Sequence, residues 1–139
     1  MINELGGAAL AYIGDAAAEV WVRRLLLESG IVNPSVCSIE ALQFVPARAQ
    51  SAAYERIRDI LTADEAQIFL RGRNAHVTTP KSASPADYHR ATGFEAVIGW
   101  LYMNGCESRI NELLGTAYSD KIDDMKKRHN INTGDEKTK

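Results

Sequence analysis

The sequence predicts an all-α fold. Apolar residues recur at spacings of three and four along nearly the whole chain, and no stretch alternates apolar with polar residues. The punctuation is also helical: capping Asn, Thr and Ser precede proline or acidic residues, and glycine follows the last apolar turn. With 139 residues, 45% hydrophobic and 24% charged, and a formal net charge of -2, the composition is that of one ordinary globular domain. A chain of this size buries about two-thirds of the surface it exposes when unfolded, so its stability needs no disulfide or metal.

Five or six helices are expected. The first covers Leu5 to Glu28, apolar along Leu10, Ile13, Ala17, Val20, Trp21 and Leu25, and ends at Ser29-Gly30. Gly14 in its interior has no obvious helical reason. Asn33-Pro34, a cap followed by a first-turn proline, opens a short helix to about Gln43, and Pro46 starts a third that runs to about Leu61. Thr62 and Glu65 form a capping box for a fourth helix to about Arg71. Periodicity stops between Gly72 and Pro85, a long loop of the kind that is more often functional than idle. Ser84-Pro85 then caps the most apolar helix, Ala86 to Met103, which is expected to be central and to stop at Asn104-Gly105. A last helix starts near Glu107 and presents Ile110, Leu113, Leu114, Ala117 and Ile122. Residues 1–128 thus form the domain, and His129 to Lys139 a polar, frayed tail.

Several function classes find no support. No stretch reaches the roughly 20 apolar residues of a membrane span, and MINELGG has no basic n-region, so a cytoplasmic protein is expected. The two cysteines, Cys37 and Cys106, are far apart and fit reduced packing thiols. His76, His89 and His129 lack the spacing of a zinc site, and neither a nucleophile elbow nor a glycine-rich nucleotide loop occurs.

Two acids are out of place in a plain helix bundle. Asp15 sits on a small-residue stripe with Ala11 and Ala18, and Glu95 lies in the most apolar helix, one turn from Thr92 and Gly99. Buried carboxylates need partners. If the two helices cross, Gly14, Ala11, Gly93 and Gly99 let the backbones approach, and the carboxylates would share a divalent cation; hard oxygen ligands suit magnesium. The alternative is that each acid forms a structural ion pair, with Arg90 or Arg23 for example. A second feature is charge: Arg71, Arg73, Lys81 and Arg90 against Asp87 give a local +3, leaving -5 elsewhere. Asn74, His76 and Tyr88 are interleaved with these bases, a pattern suited to phosphates and ribose hydroxyls, unless the loop is merely solvated.

Three fragments then combine. Ala-Tyr-Ile-Gly-Asp-Ala at 11–16, Arg-Gly-Arg-Asn-Ala at 71–75 with Pro80-Lys81 after it, and the run from Tyr88 to Tyr102 containing Glu-Ala-Val-Ile-Gly resemble Mini-ribonuclease III, over about Leu5 to Leu114. The resemblance implies a dimeric helical bundle like the ribonuclease III endonuclease domain. It also implies Mg²⁺-dependent hydrolysis of double-stranded RNA, with Mn²⁺ able to substitute, and maturation of both ends of the 23S rRNA precursor, with a ribosomal protein as a further partner. Asp15 and Glu95 fall on the acids of the two family signatures and would be catalytic metal ligands. Arg71, Arg73, Asn74, His76, Lys81, Tyr88 and Arg90 would contact RNA. Glu19 and Thr92 would support the acids, Glu19 by orienting water at the cation or by pairing with Arg23. Larger family members carry a glutamate four residues before the first acid and an aspartate three before the second; here these are Ala11 and Thr92. That implies a leaner metal site and leaves open a non-cleaving RNA-binding or ribosome-assembly module. No room remains after residue 128 for a separate RNA-binding domain, so the catalytic domain is expected to hold the RNA itself.

Overall fold

The structure is a computed structural model and describes residues 4–131. Those residues form α1 (Gly7–Glu28), α2 (Pro34–Ala41), α3 (Ala47–Ile57), α4 (Ala63–Arg73), α5 (Pro85–Met103), α6 (Glu107–Ala117) and α7 (Ser119–Arg128), with a 3₁₀ turn at Arg58–Ile60. No strand occurs among them. None of these helices is long and apolar enough to cross a membrane.

The local signals act where the sequence puts them. The Asn33 side chain accepts from the Ser35 and Val36 amides, Ser84 accepts from Asp87, and the Thr62–Glu65 box is closed in both directions. Gly30 and Gly105 take φ of +92° and +71°, the left-handed conformation that ends α1 and α5. α5 is the central helix: α1, α3, α4 and α6 all pack on it, and Ala91 to Phe94 and Ala96 to Gly99 are buried without interruption except at Glu95.

One boundary differs in an instructive way. The expected single C-terminal helix is broken into α6 and α7 at Tyr118. Tyr118 is 1% exposed, donates its hydroxyl to the Phe44 carbonyl at 3.0 Å, and meets the Phe44 ring edge-on at 5.1 Å. Burying that ring against α2's exit fixes the bend. Residues 129–131, the start of the expected tail, make contacts with the domain. Glu40 is buried on α2 and binds both the Arg128 guanidinium and His129 Nε2, the latter at 2.8 Å, while the Ile131 amide donates to the Lys126 carbonyl. The rest of the expected tail, 132–139, lies outside the described residues.

Candidate active site

The site begins with two glycines. A Cβ on Gly14 would collide with the Glu95 carbonyl, and one on Gly99 with the Leu10 carbonyl, so α1 and α5 cross with their backbones in contact. That is the reason for Gly14 inside a helix, where glycine costs about 1 kcal/mol relative to alanine. The crossing sets Asp15, next to Gly14, beside Glu95. Gly93, expected to help this crossing, instead faces the Phe69 ring of α4, and Gly72 of α4 approaches α5 at Ala96.

The Asp15 carboxylate, exposed rather than buried as its small-residue stripe suggested, lies beside the half-buried Glu95. Burial first, then Asp15 and the charge of Glu19, push the Glu95 carboxyl up to about 9 in the absence of any cation. Its other neighbour is neutral: Gln50 of α3 donates Nε2 to Glu95 Oε2 at 3.4 Å. Among the described residues no ion pair involves Asp15, Glu19 or Glu95; Arg90, a possible partner on sequence, is taken by Glu55 at 3.2 Å and Asp87 at 3.9 Å. The structural ion pair weighed for these acids is therefore not formed. Carboxylates forced together without a base are a natural place for a cation. No group of three or more His, Cys, Asp or Glu side chains gathers for a metal among the described residues. The donor set is two hard carboxylates, which fits magnesium with its remaining positions filled by water and substrate.

The supporting residues divide. Glu19 is half-buried and near enough to act on Glu95 by its charge. Thr92 gives its hydroxyl to the Tyr88 carbonyl of its own helix at 2.9 Å, which spends it on α5 rather than on the acids.

Arg73 and Arg90, two of the four expected basic residues, meet at a cavity between α3, α4 and α5 that Glu55 also lines. This cavity of about 650 Å³ is lined by Arg73, Asn74, His76 and Arg90 together with Tyr54, Arg58 and His89. Arg90 lies five residues before Glu95 on the same helix, about 7.5 Å along the axis. Arg71 donates to the Leu5 carbonyl at 3.2 Å, and Arg71, Lys81 and Tyr88 do not line this cavity. Gln50 and Arg58 are additions that the sequence reading lacked.

A ribonuclease III domain profile matches residues 8–105. The chain belongs to the ribonuclease III domain family. It is 45% identical to Mini-ribonuclease 3 of Symbiobacterium thermophilum across 78% of this chain and 84% of that protein. It is 37% identical to Mini-ribonuclease 3 of Enterococcus faecalis across 81% and 87%. The crystal structure of a Fusobacterium nucleatum protein superposes with a TM-score of 0.79 at 28% identity, covering 89% of this chain and 96% of the other. These relatives put this ribonuclease III domain on the Mini-ribonuclease 3 branch, as its signature fragments suggest.

Proposed function

We propose that this protein is an endoribonuclease that cuts double-stranded RNA with Mg²⁺, as a cytoplasmic homodimer, and matures both ends of the 23S rRNA precursor. The observation that carries the reading is the meeting of Asp15 and Glu95 across the α1–α5 crossing, with no base among the described residues paired to either. These two carboxylates would hold the ion. Magnesium, or manganese in its place, supplies when bound the positive charge that offsets developing charge on phosphoryl oxygens and makes water a competent nucleophile at neutral pH.

The chain's own groups do the remaining work. Glu95 and Asp15 project from helices whose backbones touch at Gly14 and Gly99, a crossing that would keep the two carboxylates close enough to share an ion. Arg73, Arg90, Arg71 and Lys81 would meet backbone phosphates, while Asn74, His76 and Tyr88 would meet ribose hydroxyls, since A-form RNA is read mainly by shape and 2′-OH groups. Homodimer formation is supported by an exposed apolar face: Tyr12 is 84% exposed, Val20 64% and Tyr102 54%, beside a cavity of about 660 Å³ lined in part by Val20, Trp21 and Tyr102. A two-fold dimer has one such acid pair for each RNA strand.

The competing reading is a non-cleaving RNA-binding module, favoured by Ala11 and Thr92 where larger relatives carry acids. Incubating a stem from a 23S rRNA precursor with the protein and Mg²⁺ or EDTA, with and without ribosomal proteins, separates the two. The expected result is Mg²⁺-dependent cuts on both strands, leaving 5′ phosphates and short 3′ overhangs. Binding without cuts would support the module instead.

A further inference from the structure

The α3 helix has no acid in the site, yet it sends one buried side chain into it. Gln50 is 4% exposed and shares the inward stripe of α3 with Ala53 and Ile57, where an apolar residue would be the ordinary choice. Its amide reaches Glu95 Oε2 from 45 positions away in the chain. We infer that Gln50 is a positioning residue of the metal site: it orients the Glu95 carboxyl toward Asp15 by a hydrogen bond from a neutral donor, without pairing it to a positive charge. This rests on the proposal that Asp15 and Glu95 hold a divalent cation.

The chemistry of the donor is the argument. A lysine or arginine here would make the buried ion pair that Glu65 makes with Arg109 elsewhere in the molecule, and a carboxylate so paired has less charge left for a metal. An apolar residue would leave Glu95 free to turn away from Asp15. A primary amide donates a hydrogen bond and carries no charge. The donor comes from a third helix, so the acid pair on α1 and α5 is held from a direction that neither of those helices supplies.

Two variants test this with Mn²⁺ as the probe, its binding followed by electron paramagnetic resonance titration of the full-length protein. Gln50→Met keeps length and packing but removes the donor. It is expected to weaken Mn²⁺ binding at least fivefold and to lower kcat on double-stranded RNA at least tenfold at subsaturating Mg²⁺, with KM for RNA within twofold. Gln50→Lys keeps a donor but adds charge. It is expected to raise the Tm of the metal-free protein and to weaken Mn²⁺ binding further than Gln50→Met does. In a Glu95→Gln background, Gln50→Met should leave the residual Mn²⁺ affinity unchanged. A purely structural glutamine would instead move Tm in Gln50→Met and leave Mn²⁺ affinity and kcat alone, and that result overturns the inference. Wild-type binding and kcat in Gln50→Lys would overturn it as well. If the wild-type protein itself binds no Mn²⁺ and cuts no RNA, the metal-site proposal falls and this inference with it; if wild type binds and cuts and the variants match it, only the role of Gln50 falls.

Discussion

Glu65 is buried and Glu95 half-buried, both on core helices, and they are satisfied in opposite ways. Glu65 begins α4 with its carboxylate against the Arg109 guanidinium at 2.7 Å, and it also accepts from the Thr62 amide at 2.9 Å. These hydrogen bonds outweigh its burial and hold its carboxyl below the ordinary range. Glu95 has burial, a facing aspartate and one neutral amide, and its carboxyl rises to about 9. Glu40, bound by Arg128 and His129, belongs with Glu65. The difference teaches how to read a buried acid: a complete set of donors marks a staple, and an acid left short of positive charge marks a place for something that is not protein.

The contrast can be broken from either side. The largest effect is expected at the unpaired acids: Asp15→Asn and Glu95→Gln should each lower Mg²⁺-dependent cleavage of double-stranded RNA by about 1,000-fold or more, worth about 4 kcal/mol in the barrier. Circular dichroism and Tm should show both variants folded. Disarming the staple should do the reverse. Arg109→Leu is expected to cost about 3 kcal/mol of stability in urea unfolding, because it strands a buried charge, while the folded fraction keeps its cleavage rate.

A methyl group at the crossing touches both properties. Gly14→Ala must push the Glu95 backbone away, so about 2 kcal/mol of stability and at least tenfold in cleavage should be lost together.

The two kinds of acid also predict opposite pH slopes for the metal-free protein. Glu65 and Glu40, with lowered folded pKa values, contribute stability that is present above the unfolded value of 4.5 and is lost as the pH falls through their folded values. Glu95, raised to about 9, contributes stability that is complete below 4.5 and is lost as the pH rises toward 9. Thermal melts between pH 5 and 9 should therefore decline toward alkaline pH, and Glu95→Gln should flatten that decline. The smallest effect is expected at the exposed Arg24–Glu28 pair, where Arg24→Ala should change stability by less than about 0.5 kcal/mol.

Much of this was legible in the residues because the signals were local. Asn33-Pro34, Thr62 to Glu65 and Ser84-Pro85 each carry their own cap, so helix starts could be read within a residue or two. The oddity of Gly14, Asp15 and Glu95 was visible for the same reason: each departs from what its own helix wants. What could not be read depended on partners far along the chain. Tyr118 bends the last helix because Phe44 lies beneath it, and His129 docks because Glu40 lies opposite. Gln50 did break the apolar stripe of α3, and that signal was available; its partner, Glu95 on α5, was not. The basic segment was legible as composition, but the seam that gathers Arg73 and Arg90 with Arg58 is tertiary.

Anomalous diffraction from crystals soaked in Mn²⁺ tests most directly whether Asp15 and Glu95 share a cation. A manganese peak touching oxygens of both carboxylates is the predicted result. A peak elsewhere, or ordered carboxylates turned apart with no peak between them, would contradict it.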